Sequence, residues 1–193
     1  MRLTKVALLC ALAVTLPALS LAAQTQAKNP RRGFWAGAGL GAGSERLSCG
    51  ICQGDRDTDL SGYVKLGWTV SQHVLLGVES NGWKQETNGI NELLGTLHAV
   101  VYWYPAVASG FYVKAVAGML AFRVEGGGSE MTGDAFSAQV GMGYDLRITR
   151  AFSFTPFLNV IASTQGDLTL NGNKAASDVN YSLIQAGFGL TLH

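Results

Sequence analysis

Five charged residues stand within otherwise apolar segments and could do acid–base or ion-pair chemistry. They are Lys65, Glu79, Lys114, Asp145 and Arg147. Ser71-Gln72-His73 has the composition of a tight turn, and Lys65 and Glu79 stand equally far before and after Gln72. Two strands joined by this turn would place Lys65 opposite Glu79 as a cross-strand pair. Because buried charges need partners, we expect these five residues to form one network.

The histidines do not complete a nucleophilic site by their spacing. His98 stands beside Thr96 and Val100 with no serine two residues away, while His73 lies in the turn and His193 ends the chain. A Ser-His-acid assembly would have to form across strands. We therefore predict no catalytic residues, no metal site, no cofactor and no enzymatic activity.

Two cysteines form the sequence Cys49-Gly-Ile-Cys52, which precedes a polar loop. A redox site would need a helix N-terminus to lower the thiol pKa, and a zinc site would need two further ligands. In a secreted chain a disulfide that braces the loop is the favoured reading. Redox and metal chemistry remain open alternatives.

The first residues have the composition of a secretory signal. Arg2 and Lys5 precede an apolar stretch that ends before small residues, with cleavage predicted after Ala22 or Ala23. We therefore divide the chain into a signal peptide (1–23), a short polar lead (24–32) and one domain (33–193). Loss of Arg2 and Lys5 would turn 14 basic against 13 acidic residues into a charge of −1. This near-neutral chain has no electrostatic basis for binding nucleic acid.

After the lead, apolar residues alternate with Gly or polar residues in eight segments, which is the period of β-strands. The predicted strands are 33–43, 59–70, 74–83, 92–104, 111–124, 135–148, 152–163 and 180–193. Short turns alternate with longer loops at 45–58, 84–91, 125–134 and 165–178. The chain is 48% hydrophobic but only 14% charged, and beyond the signal it has no apolar run long enough for a transmembrane helix.

This pattern predicts an all-β fold, an eight-stranded antiparallel up-and-down transmembrane β-barrel with short periplasmic turns and longer outer loops. Closure matters because an open sheet edge would leave backbone groups unpaired in lipid. Five lipid-facing aromatic residues fall near the periplasmic ends and would form an aromatic belt. These residues are Phe34, Trp68, Trp103, Phe111 and Phe152.

A soluble periplasmic barrel of lipocalin type would also have eight antiparallel strands. Its apolar face would point inward, and the few charged residues would have to cover the whole outer surface. The low charge content favours lipid on the outside instead.

The domain resembles the small outer-membrane β-barrel family that includes OmpA-like, OmpX-like and opacity-type proteins. The resemblance rests on Gly33-Phe-Trp-Ala-Gly-Ala-Gly-Leu-Gly41, on Tyr102-Trp-Tyr-Pro105 before Gly110-Phe-Tyr-Val-Lys114, and on Gln185-Ala-Gly-Phe-Gly-Leu-Thr-Leu192. It implies a location in the outer membrane of a Gram-negative bacterium. It also implies recognition by the barrel-assembly machinery through the C-terminal strand, although that strand usually ends on an aromatic residue and this one ends Leu192-His193.

The function expected from these features is structural or surface-interacting, through the outer loops, with a lumen filled by polar side chains. The expected partners are outer-membrane lipid and lipopolysaccharide, and the expected state is a monomer. The alternative is a narrow gated channel or an uptake protein for small solutes or apolar ligands, because an eight-stranded interior is only just filled by side chains. An outer-membrane lipid-modifying enzyme ranks last.

Overall fold

The computed structural model describes residues 31–48 and 56–193. The predicted signal peptide, most of the predicted lead, and Cys49 and Cys52 lie outside these residues, so the signal peptide, its cleavage site and the disulfide stay predictions. These described residues form ten strands. Their bounds are β1 Phe34–Ser48, β2 Asp57–Thr69, β3 Val74–Thr87, β4 Ile90–Trp103, β5 Phe111–Gly126, β6 Ser129–Tyr144, β7 Leu146–Arg147, β8 Phe152–Ser163, β9 Gly166–Leu170 and β10 Asn173–Leu192.

All pairings are antiparallel, and the sheet closes on itself because β10 pairs with both β1 and β8. The inner part of β6 pairs with β8 and its outer part pairs with β9. β7 continues β6 after Asp145, and β9 continues β8 after Thr164 and Gln165. The ten strands therefore make the eight barrel strands that the alternation predicts. In the described part of the chain no helix is long and apolar enough to cross a membrane.

The predicted outer loops are mostly strand, which corrects the sequence reading at three places. β3–β4, β5–β6 and β9–β10 are hairpins joined by the two-residue turns Asn88-Gly89, Gly127-Gly128 and Asn171-Gly172. Asn88 and Asn171 have positive φ values of 52° and 49°, as such tight turns require. These three outer connections are therefore long paired hairpins rather than irregular loops.

The two faces of the barrel differ as the alternation predicts. Apolar side chains such as Leu97 and Val140 point outward and are more than 60% exposed, whereas Lys65 and Glu79 point inward and are buried. This is the reverse of a soluble barrel and fits lipid on the outside. The five residues of the predicted aromatic belt all point outward, 37% to 61% exposed, at the end that carries the short turns.

Candidate functional site in the barrel interior

Glu79 on β3 is the centre of a buried polar cluster in the half of the interior near the short turns. Its carboxylate accepts hydrogen bonds from Lys114 Nζ and Tyr102 Oη. Gln139 Nε2 donates to the same carboxylate at 2.9 Å and Asn81 Nδ2 at 3.2 Å. Four donors around one buried carboxylate satisfy the group that burial would otherwise penalise.

Lys65 lies opposite Glu79 in the β2–β3 register, where the sequence places it. The ion pair of Glu79 is nevertheless made by Lys114 on β5, not by its cross-strand neighbour. Lys65 Nζ instead lies among aromatic rings, 4.9 Å from the ring centroid of Tyr102 and 5.5 Å from that of Tyr112. Cation–π attraction to several rings stabilises an ammonium group that is out of water.

Asp145 lies at the mouth of the barrel near the short turns, hereafter the inner mouth. Its Oδ2 accepts a hydrogen bond from Tyr104 Oη at 2.7 Å, and its Oδ1 accepts one from Thr155 Oγ1 at 2.8 Å. His193 follows β10, and its Nε2 lies 3.7 Å from Asp145 Oδ2. Burial lowers the pKa of His193 to about 4 despite the nearby carboxylate. The fifth predicted residue, Arg147, is half-buried on β7 at this mouth.

Arg31 also closes the inner mouth, although it is not among the predicted site residues. Its guanidinium lies 3.6 Å from the ring centroid of Tyr104. It donates hydrogen bonds to the carbonyl oxygens of Ser109 at 2.8 Å and Val107 at 3.4 Å, in the β4–β5 turn. The end of the predicted lead thus packs against the barrel, a contact that no local pattern around Arg31 signals.

His98 and Ser137 form a second buried contact that spacing along the chain does not reveal. His98 Nε2 lies 2.7 Å from Ser137 Oγ. His98 is level with Gly118 on β5, and Gly118 is level with Ser137 on β6. A Cβ on Gly118 would clash with the backbone of β4, so the glycine lets the two side chains meet across one strand.

This histidine–serine pair lacks the further features of a catalytic site. His98 Nδ1 has no hydrogen-bond partner within the described residues, so no acid orients the ring. Both side chains are at most 1% exposed. The pair is therefore an internal contact without access for a substrate.

The outer half of the interior is apolar, in contrast to the predicted lumen filled by polar side chains. A cluster of inward-facing side chains from six strands packs there, hereafter the apolar cluster. Its members are Trp83, Leu94, Leu120, Phe122, Ile161, Leu168, Val179, Tyr181 and Leu183. The Trp83 indole N–H is satisfied by the carbonyl oxygen of Gly43 at 2.9 Å.

Several buried polar atoms in the inner half have no hydrogen-bond partner within residues 31–48 and 56–193. They include Trp35 Nε1, Tyr63 Oη, Ser153 Oγ and Gln185 Nε2. Buried polar groups are ordinarily paired with protein or with ordered water. The inner half therefore contains several polar groups of the kind that ordered water pairs, whereas the only such atom among the described members of the apolar cluster is Tyr181 Oη.

No protein-family model and no curated protein matches the sequence. Solved structures do match. Neisserial surface protein A superposes with a TM-score of 0.59 at 13% identity, covering 82% of this chain and 96% of that one. The fold is that of a small outer-membrane β-barrel.

Two further solved structures support this assignment of the fold. OprG from Pseudomonas aeruginosa gives a TM-score of 0.51 at 14% identity, covering 86% of this chain and 98% of that one. Ail, the attachment invasion locus protein of Yersinia pestis, gives 0.50 at 11% identity, covering 83% and 99%. The predicted resemblance is confirmed at the level of the fold. The apolar outer face and this fold together give the outer-membrane location predicted above.

Proposed function

We propose that this protein is a closed outer-membrane barrel that acts at the cell surface through its outer hairpins. The observation that carries the proposal is the filling of the interior by two layers of different chemistry. The polar cluster around Glu79 fills the inner half, and the apolar cluster around Trp83 fills the outer half. Solute would have to displace both layers to cross.

The hairpins support a surface role. β3–β4, β5–β6 and β9–β10 run past the last outward apolar residues and carry charged outward side chains such as Arg123 and Glu130. Among the structural neighbours, one is described as a surface protein and another as an attachment invasion locus protein. We further propose that the five aromatic residues mark the periplasmic interface, that the monomer contacts outer-membrane lipid and lipopolysaccharide, and that β10 is read by the barrel-assembly machinery.

Conductance of the refolded protein in a planar bilayer tests the closed barrel. Folding is confirmed beforehand by the heat-dependent shift in gel mobility that such barrels show. We expect no discrete current steps from the wild type. Reproducible steps that are absent from protein-free bilayers would refute the closed barrel.

A narrow gated channel is the second candidate, and the unpartnered polar atoms of the inner half favour it. If those groups are hydrated, the apolar cluster is the remaining barrier, because a constriction lined by apolar side chains excludes water and ions. Trp83→Ala removes the largest side chain of that cluster. Current steps from folded Trp83→Ala, with a silent wild type, would support the gate, whereas silence of both proteins would support the plug.

A further inference from the structure

The outer mouth of the barrel has an apolar wall. Inward-facing side chains from three hairpins line a cavity of about 420 Å³ between the hairpin tips. Ile90, Val124, Met131 and Leu170 are its large apolar lining residues. Val124 and Met131 also pack on the apolar cluster, which forms the floor. This volume lies within the roughly 300–1,000 Å³ typical of small-molecule sites.

The same mouth has an acidic wall. Glu45 on β1 is level with Asp57 on β2, and Glu92 on β4 is level with Val124 of the apolar wall. Glu92 therefore joins the two walls, which together we name the vestibule. Arg56 donates hydrogen bonds to the carbonyl oxygen of Ser44 and to the hydroxyl of Ser182, and its positive charge offsets only part of the rise in the pKa of Glu45.

Glu45 has a buried carboxyl group with an unpaired oxygen. Its side chain is 3% exposed, and its Oε1 has no hydrogen-bond partner in the described parts of the chain. Glu45 lies beyond the outward apolar band, since its neighbours Ser44 and Arg46 are polar. Burial, followed by the negative charges of Glu92 and Asp57, raises the pKa of Glu45 to about 7. Burial and then Asp57 also raise the pKa of Glu92.

We propose that the vestibule binds a small organic cation with an apolar body. The cationic group lies between Glu45 and Glu92, where its positive charge pairs with the buried carboxylate of Glu45. The apolar body lies against Ile90 and Val124. The site deepens the proposed function and rests on it, because the vestibule is a surface site only if the barrel beneath it is closed.

The two walls together decide the class of ligand. An anionic ligand would meet the carboxylates with like charge, and a neutral apolar ligand would leave Glu45 unpaired. No group of three or more His, Cys, Asp or Glu residues within 31–48 and 56–193 could hold a metal ion. The apolar lining next to Glu92 instead matches a carbon skeleton attached to the charged group.

Benzyltrimethylammonium is a water-soluble probe of this chemistry. It is titrated into the refolded protein in zwitterionic micelles, and amide chemical shifts are followed by NMR. We expect saturable binding, with shift changes at Ile90, Val124 and Leu170. Tetramethylammonium, which lacks the apolar body, and benzylphosphonate, which carries the opposite charge, should each bind at least about fivefold more weakly.

Neutral variants complete the test. Glu92→Gln and Glu45→Gln each remove one vestibule charge and should weaken benzyltrimethylammonium binding at least about fivefold. Glu125→Gln is the matched control, because Glu125 is half exposed and its partner is Arg123 on the outer surface. Absence of saturable binding, equal binding of benzylphosphonate, or equal weakening by Glu125→Gln would each overturn the proposal. A silent bilayer beside absent binding would overturn only the vestibule, while current steps from the wild type would overturn the closed barrel itself.

Discussion

Replacement of Lys114 by methionine tests whether the buried ion pair organises the inner half of the barrel. The side chains of Lys114 and Glu79 are 2% and 0% exposed. Lys114→Met keeps an unbranched side chain as far as the ε position but leaves the carboxylate without its paired cation. Tyr102, Gln139 and Asn81 would still donate to Glu79.

The size of the effect follows from this geometry. Breaking a buried ion pair by removing one partner costs about 3–5 kcal/mol. We expect the lower end, about 3 kcal/mol, because three neutral donors remain and Lys65 is nearby. Lys65→Met loses the cation–π contacts and the attraction to Asp145 and Glu79, and should cost about 1 kcal/mol, since relief from desolvation offsets part of the loss. The double variant Lys114→Met/Glu79→Gln removes both charges and should lie within about 1 kcal/mol of the wild type.

Urea unfolding of the refolded proteins in lipid vesicles measures these differences. Tryptophan fluorescence and heat-dependent gel mobility report the folded fraction at each urea concentration, and linear extrapolation gives the free energy of unfolding. The reasoning would be refuted if Lys114→Met destabilised the barrel no more than Lys65→Met. It would also be refuted if the double variant were less stable than Lys114→Met alone.

Three further outcomes follow from the contacts described. Gly118→Ala should destabilise the barrel by about 2 kcal/mol in the same urea assay, because the added Cβ would overlap the backbone of β4. Gly82→Ala serves as the control, because a Cβ on Gly82 would meet no atom within 4 Å. Arg31→Gln should lower the free energy of unfolding by about 1 kcal/mol, because it loses the contacts of Arg31 with the Tyr104 ring and with carbonyl oxygens. Replacement of the exposed Arg32 by glutamine should change stability by less than about 0.5 kcal/mol. Equal effects of the two variants would exclude the inner-mouth contact. Because the pKa of Glu45 rises from 4.5 to about 7 on folding, the folded state favours its protonated form and the wild type should lose stability as pH rises through that window. Glu45→Gln should reduce this loss by about 2 kcal/mol in unfolding measured from pH 4 to pH 8. An unchanged pH profile would contradict the assignment.

The period-two alternation determined the faces of the barrel from sequence alone. Because strand side chains point alternately to opposite faces, a run such as Val64, Leu66 and Trp68 had to share one side. The tight turn at Gln72 likewise determined the register of Lys65 with Glu79, since a short hairpin leaves little choice of pairing. The Asn-Gly turns of two outer hairpins are also present in the sequence, but the polar residues around them predict loop rather than strand.

Only closure of the sheet decided which interior residues meet. Glu79 lies next to Lys65 in register but pairs with Lys114, because the barrel curves and side chains reach across the lumen rather than along one hairpin. His98 and Ser137 meet because Gly118, on the strand between them, has no side chain. Alternation assigns a residue to the inside, but the interior partner depends on the height and tilt of every strand. The apolar cluster, the inner-mouth contact of Arg31 and the two walls of the vestibule are therefore products of the tertiary structure.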